Sequence, residues 1–333
     1  MTATAESFAR APALELPRQR VPTPGEIGDT SLRALDGSYL DLSELHGGES
    51  VSATIDIAER RHFVRLTEAS RADPANSRHT VFMLPGFTET VDKGSGRNLH
   101  DAIATHYPYS RIVSVATDGV GSSCRRVGWQ AGFGLDFDTM AADRLSIAEM
   151  LSGDDPVTLA TVSMGSVIGL QLALRNLYER RINLERIVNH SHAQVPLGHV
   201  PRDMAIRFLP HIAVDGLREA VRRPAPVVAH LVGSLALLAH HLPAYAGNLK
   251  NLLAGTDPAD MYAVAEQVPT TYISGDRDPL AQRELLTRLQ QALPGQVAVL
   301  RLPGRGHASS LDATTAARDI ASVDDHAPAS TRL

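Results

Sequence analysis

Ser163, an aspartate of the pair Asp276 and Asp278, and His307 are the side chains of this sequence whose types and placement could do covalent chemistry together. Ser163 stands in the string T-V-S-M-G, directly after the apolar run Val157–Val162. Asp278 lies in G-D-R-D-P, after Thr270–Ser274. His307 ends P-G-R-G-H, after Val297–Leu302. A serine hydroxyl is a weak nucleophile until a base removes its proton. Histidine can take that proton and later give it to a leaving group. A carboxylate can fix the imidazole tautomer and stabilise the imidazolium. Each residue alone has an ordinary reading: serines cap helices, aspartates fill turns, and the chain holds 14 histidines. What sets these three apart is that each follows a different apolar run, in the order Ser…Asp…His.

A fourth feature falls in register with them. Thr80–Leu84 is followed by Pro85-Gly86-Phe87. A glycine turn there lets the Phe87 backbone N–H face the same edge as that of Met164, and two such donors would hold a developing oxyanion. By itself a Pro-Gly pair is an ordinary turn. The serine would have to sit in a sharp, strained strand-to-helix turn, which favours small residues two places to either side. Gly165 fills one of these places; Thr161, β-branched, fills the other.

These residues need a frame that ends several strands at one edge. Thr80–Leu84, Arg111–Ala116, Val157–Val162, Ile187–His190, Thr270–Ser274 and Val297–Leu302 are short, rich in Val, Ile and Leu, and lack alternation. That predicts strands buried on both faces of a parallel sheet. Helical patterns fall between them at Gly96–His106, Phe137–Leu151, Met164–Arg180 and Ala281–Ala292. The alternation predicts a doubly wound α/β sheet, with ligands at the carboxyl ends of its strands. Val51–Ile57 and His62–Leu66 alternate as a half-buried hairpin would. Residues 1–50 read as an extended or partly disordered arm, 51–194 and 262–320 as the α/β core, and 321–333 as a flexible tail.

Residues 195–261 interrupt the rhythm with helices broken by prolines, and predict a helical cap over the carboxyl edge. Within it Pro224–Leu242 is strongly apolar, as a buried helix or the lining of an acyl pocket would be. Arg202, Arg207, Arg218, Arg222 and Arg223 could clamp an anion, although such residues more often form a solvated helix face. His190 and His192 come at and just after the end of the strand Ile187–His190, where they could border the pocket. His240 and His241 are adjacent and cannot share one helix face, so no metal site is expected from them.

Composition narrows the function classes. The chain has 333 residues, 43% of them hydrophobic and 21% charged, which suits a sizeable core. A formal net charge of −5 gives no broad attraction to nucleic acid. The single cysteine, Cys124, excludes an intramolecular disulfide and a multi-cysteine metal site. The N-terminal string lacks a basic start followed by an apolar core, so no secretory signal is expected, and no apolar stretch is long enough for a membrane span. The expected setting is the cytoplasm.

The motifs together resemble the α/β-hydrolase superfamily over roughly residues 50–315. TVFMLPGFTET resembles its third strand and oxyanion loop, and ATDGVGSS a shortened loop after the fourth. LATVSMGSVIG resembles the nucleophile elbow; ISGDRDPL and LPGRGHASSLD resemble the acid and histidine loops. The resemblance implies a mostly parallel eight-stranded sheet with one antiparallel strand. It also places the acid at Asp278 rather than Asp276. Thr161 for glycine and Pro85 where many members carry histidine are departures from the pattern. The implied activity is hydrolysis of a carboxylic ester or thioester of a small, largely apolar molecule through an acyl-enzyme, with no metal or organic cofactor. The same triad could serve an acyltransferase, a cyclase or a C–C bond hydrolase. A non-catalytic binding protein on this scaffold would have no chemical need for all three side chains. A homodimer is the one macromolecular partner left open.

Overall fold

A computed structural model of the chain describes residues 32–57, 60–71, 78–86, 90–91, 94–118, 129–193, 214, 217–218, 220–221, 241–252, 254, 256–307, 310 and 312–323. Its centre is a nine-stranded sheet. The strands are β1 (Leu32–Ala34), β2 (Ser50–Ile57), β3 (Arg60–Thr67), β4 (Thr80–Leu84), β5 (Arg111–Val115), β6 (Pro156–Val162), β7 (Asn183–His190), β8 (Thr270–Gly275) and β9 (Val297–Leu302). Their order across the sheet is β1-β2-β3-β5-β4-β6-β7-β8-β9. From β5 to β9 all neighbours pair in parallel, while β1, β2 and β3 join by antiparallel ladders.

Two expectations are corrected here. Among the described residues the sheet has nine strands rather than eight, and two of them, β1 and β3, run against the rest. The ordered core also begins before residue 51, because Leu32–Ala34 pairs with Ala53–Ile55. Three residues are too few to show a period in the sequence; the edge of β2 supplies the partners that make them a strand. β7 likewise starts at Asn183, ahead of the apolar run, with polar residues at its exposed entry.

Helices around the sheet among the described residues include α1 (Gly94–His106), α2 (Trp129–Gly134), α3 (Phe137–Ser152), α4 (Gly165–Glu179), α5 (Pro258–Gln267), α6 (Arg283–Ala292) and α7 (Ala313–Ala321). Strand residues alternate between two apolar cores, as a pleated backbone requires. Val81 and Met83 of β4 join Leu99 and Ile103 of α1 and Ala316 and Ile320 of α7. Phe82 and Leu84 face the other way, toward Leu145 of α3, Val167 of α4, Val264 of α5 and Leu286 of α6. Local chemistry sets several helix ends. Asp136 accepts from the Thr139 N–H at the start of α3, and Gly153 ends that helix with φ 56°. Asp257 caps α5, with proline in its first turn.

A buried ion network ties α3 to the carboxyl end of β5. Arg144, 1% exposed, lies 2.7 Å from Asp118 and donates to the Ala116 carbonyl. His62 sits between Asp118 at 3.2 Å and Asp143 at 3.3 Å, and Arg60 reaches Asp143 at 2.6 Å. Burial opposes a charge on His62, but its contacts with Asp118 and Asp143 outweigh burial and raise its pKa. Burial also opposes the Asp118 charge, and Arg144 and His62 overcome it, holding that carboxyl well below the usual range.

The pH dependence follows from the two signs. A raised histidine contributes stability below its unfolded pKa of about 6.5, and loses it as pH rises through the folded value. A depressed aspartate contributes above its unfolded pKa of about 3.9, and loses it as pH falls through the folded value. The network is therefore strongest between about pH 4 and 6.5. Urea midpoints should fall between pH 6 and 9 in the wild type, and fall less in His62→Gln. Equal slopes in the two proteins would show that His62 is not the titrating group.

Candidate active site

The sheet order brings the carboxyl ends of β6, β7, β8 and β9 side by side, and the three singled-out side chains meet there. The Ser163 Oγ lies 2.8 Å from the His307 Nε2. The His307 Nδ1 faces both carboxylate oxygens of Asp278, at 3.1 and 3.0 Å. The Asp278 side chain is fully buried and that of His307 is 11% exposed. Burial would raise the Asp278 pKa. The charge and hydrogen bond of His307, then the N–H groups of Leu280 and Ala281, outweigh it and keep the carboxyl ionised. Asp276, two residues earlier, makes no side-chain hydrogen bond through its Oδ1 and instead donates its N–H to the Leu302 carbonyl. The second aspartate of the turn, not the first, is the one joined to histidine.

Ser163 does not cap the helix that follows it. Met164 occupies the cap position of α4, and no side chain caps that end. Ser163 has φ 50°, in the left-handed region that side chains other than glycine seldom enter. Its N–H is held by the His190 carbonyl at 3.0 Å, and its own carbonyl accepts from Ser166. The turn is thus fixed from both sides while the hydroxyl projects to His307. Such a non-glycine outlier persists only where its surroundings over-determine it.

Gly165 shows why the turn can be so tight. A Cβ there would lie 2.6 Å from the Pro85 carbonyl oxygen and closer still to that of Leu84. The loop after β4 therefore rests directly on the start of α4. Met164, 0% exposed, presents its N–H at that helix start, where the first N–H groups have no acceptor within the helix. Phe87, the other donor expected from sequence, lies outside the described residues, as do Cys124, Arg202, Arg207, Arg222, Arg223 and His240. The expected cap falls mostly outside them too. Within 195–261 the described part includes a helical stretch at 241–252 and the first turn of α5, and Arg218 is exposed.

Thr161 is accommodated by a residue that sequence reading passed over. Its hydroxyl donates to Asn189 Oδ1 of β7 at 2.6 Å, and its methyl faces Gly169 of α4, where an added Cβ would come within 2.8 Å. The spacing of Gly165 and Gly169, four apart and so on one helix face, was the available signal. Gly169→Ala should destabilise the wild type by about 1–3 kcal/mol through overpacking. In a Thr161→Ser background, which keeps the hydroxyl and removes the methyl, the cost should shrink. Denaturant unfolding of the double-mutant cycle checks this, and a purely additive result would be the contrary outcome.

The histidine loop has its own anchor, also unforeseen from sequence. Asp319 of α7, buried, lies 2.5 Å from Arg305 and 3.3 Å from His190. Arg305 stands two residues before His307, and its carbonyl receives the Arg277 N–H of the acid loop. Only one group of potential metal ligands was found among the described residues: His62, Asp118 and Asp143. Arg144 and Arg60 already neutralise both carboxylates, so a dication there would meet two guanidinium charges. No helix among the described residues is long and apolar enough to cross a membrane.

Neither the models of known protein families nor the curated proteins contain a match to this chain. Solved structures do match. An α/β-hydrolase enzyme from a Medee basin deep-sea metagenome library is similar at a TM-score of 0.54 and 16% identity, covering 80% of this chain and 95% of that one. A thioesterase domain from the curacin biosynthetic pathway is similar at 0.54 and 16%, covering 83% and 98%. An epoxide hydrolase from Vigna radiata is similar at 0.55 and 14%, covering 85% and 97%.

Proposed function

The chain has the α/β-hydrolase fold, and from that premise we propose that it is a serine hydrolase acting on a carboxylic ester or thioester of a small, largely apolar compound. One observation carries the reading. Ser163 is held at φ 50° with its hydroxyl 2.8 Å from His307, whose other ring nitrogen faces buried, ionised Asp278. A helix-capping serine would need neither the strained backbone nor the histidine.

In the first half-reaction, His307 Nε2 takes the Ser163 proton as Oγ bonds to the substrate carbonyl carbon. The oxyanion accepts hydrogen bonds from the N–H groups of Met164 and Phe87, each worth about 3 kcal/mol to the transition state. The bond to the leaving oxygen or sulfur then breaks, and His307 returns its proton to that atom. In the second, water loses a proton to His307 and attacks the acyl carbon, and Ser163 is released with a carboxylic acid. Asp278 stays ionised throughout and stabilises the imidazolium. Every proton has a protein group to carry it, so the scheme calls on no metal or organic cofactor.

Similar folds carry different chemistries, as the thioesterase and epoxide hydrolase matches illustrate, so the nucleophile has to choose between them. A serine here favours acyl transfer over attack by a carboxylate. Residues 195–261 complete this reading as a cap over the carboxyl edge, and the cytoplasm as its setting. A fluorophosphonate probe should label Ser163 in the folded protein, and p-nitrophenyl esters of graded chain length should yield free acid. A clean failure to label would overturn the reading; an acyl-transferred or cyclised product would reassign the second half-reaction.

A further inference from the structure

His192 lies between the strand that carries the nucleophile and the strand that carries the acid. β7 pairs with β6 on one side, Val162 opposite His190, and with β8 on the other, His190 opposite Ile273. Two residues beyond His190, the chain is still at the edge where Ser163 follows β6 and Asp278 follows β8. The His192 ring is 2% exposed and meets Tyr272 of β8 edge-on, with centroids 5.4 Å apart and planes at 77°. That contact fixes how the ring stands.

Among the described residues, neither ring nitrogen of His192 has a hydrogen-bond partner, and neither does the buried Ser191 hydroxyl beside it. Buried His62 and His190 each have one ring nitrogen bonded, to Asp118 and Asp319, and two further buried histidines have both. His79 is bonded by Ser110 and Thr158, and His100 by Thr67 and Ser114. Buried polar groups are rarely left without partners, so an exception calls for a specific reason. Ser191 also has φ 49°, a second non-glycine residue in the left-handed region at a strand end, and such outliers gather at ligand sites. Burial lowers the His192 pKa to about 4, with Asp278 opposing and His307 adding to the shift. The ring is therefore neutral near pH 7, one nitrogen donating and the other accepting.

We propose that His192 contacts the substrate and hydrogen-bonds a neutral oxygen function, a keto or hydroxyl group, carried by the acyl half close to the reacting carbonyl. The proposal rests on Ser163 being the acylated residue. A neutral imidazole serves a keto oxygen by donating and a hydroxyl by donating or accepting, whereas it offers no charge to hold a carboxylate. The acyl half is the part that stays on Ser163 while the other half departs, so a group anchored between the strands that carry Ser163 and Asp278 belongs to that half. The expected substrate is then an apolar chain with one polar anchor, rather than an unfunctionalised chain. Sites built to bond such a group discriminate strongly against analogues that lack it.

The test compares kcat/KM on aryl esters of a plain acid and of its 3-hydroxy and 3-oxo counterparts at equal chain length. Wild type, His192→Leu and His192→Asn are measured together, so that differences in intrinsic ester reactivity cancel. The wild type should favour the oxygenated esters by tenfold or more. His192→Leu should lower that preference at least tenfold, and His192→Asn, which retains a donor and an acceptor, should restore part of it. No preference in the wild type, or the same preference in His192→Leu, overturns the proposal. Should His192→Leu show no cooperative melting, the wild type and His192→Asn decide the matter. Fluorophosphonate labelling of wild-type Ser163 separates the two levels. A labelled enzyme without the preference sinks the role of His192 alone, whereas an unlabelled one sinks the acyl-enzyme reading and this inference with it.

Discussion

Ser163→Ala should lower kcat on an activated acyl ester by about 10⁴-fold or more, because serine and histidine act as one unit and removing either forfeits most of the rate. The cooperative unfolding transition should persist. The backbone geometry adds a second arm. At φ 50° an alanine keeps the strain that serine bears, whereas glycine enters this region freely. Ser163→Gly should therefore be equally inactive, yet more stable than Ser163→Ala by about 1 kcal/mol. Both variants lose the same hydrogen bond to His307, so that loss cancels between them. Ester turnover and denaturant midpoints read the two quantities separately. Full activity in Ser163→Ala would remove the nucleophile, and equal stability of the two variants would remove the strain.

Gly165→Ala should be among the most damaging single methyl additions available in this chain. The new Cβ would stand 2.6 Å from the Pro85 carbonyl oxygen and nearer to that of Leu84. Both contacts are backbone atoms of a loop that continues a central strand, so neither can swing aside as a side chain could. The expected cost is about 3 kcal/mol or more, the upper range for overpacking. Since α4 could gain room only by moving off the β4 loop, whatever protein still folds should label poorly with fluorophosphonate. Thermal unfolding and probe labelling of Gly165→Ala check this. A variant of native stability and native labelling would mean that α4 does not rest on the loop as described.

Some of this architecture could be read directly and some could not, for physical reasons visible at particular residues. Thr80–Leu84 and Val297–Leu302 appear as strands with the bounds expected; β4 is buried on both faces, so its apolar run is the strand, whereas β9, expected to be buried on both faces as well, is the edge strand and only its Val297 is buried. β1 escaped because Leu32–Ala34 is too short for a period and exists through its ladder with β2. The polar start of β7 at Asn183 escaped for a related reason. Exposure removes the apolar signal, while pairing with Pro156 and Val157 preserves the strand. Thr161 looked like a poor elbow residue because only its own position was weighed. Its methyl is accepted by Gly169 on the neighbouring helix, and its hydroxyl by Asn189 on the neighbouring strand.

By itself the sequence determined the strand–helix alternation, the order Ser163…Asp278…His307, and the placement of each after its own apolar run. These are local properties: burial period, turn chemistry and position along the chain. Tertiary structure alone decided which groups touch. It set the Asp278 carboxylate against the His307 ring, turned the Ser163 hydroxyl away from capping α4, and fastened the histidine loop through Arg305 to Asp319. It also left His192 buried with neither ring nitrogen bonded among the described residues. Those outcomes depend on how β6, β7, β8 and β9 are ordered in the sheet and on the close approach of backbones at Gly165. Separations of more than a hundred residues, as between Ser163 and His307, carry no local signal of contact; the sheet brings them within 2.8 Å.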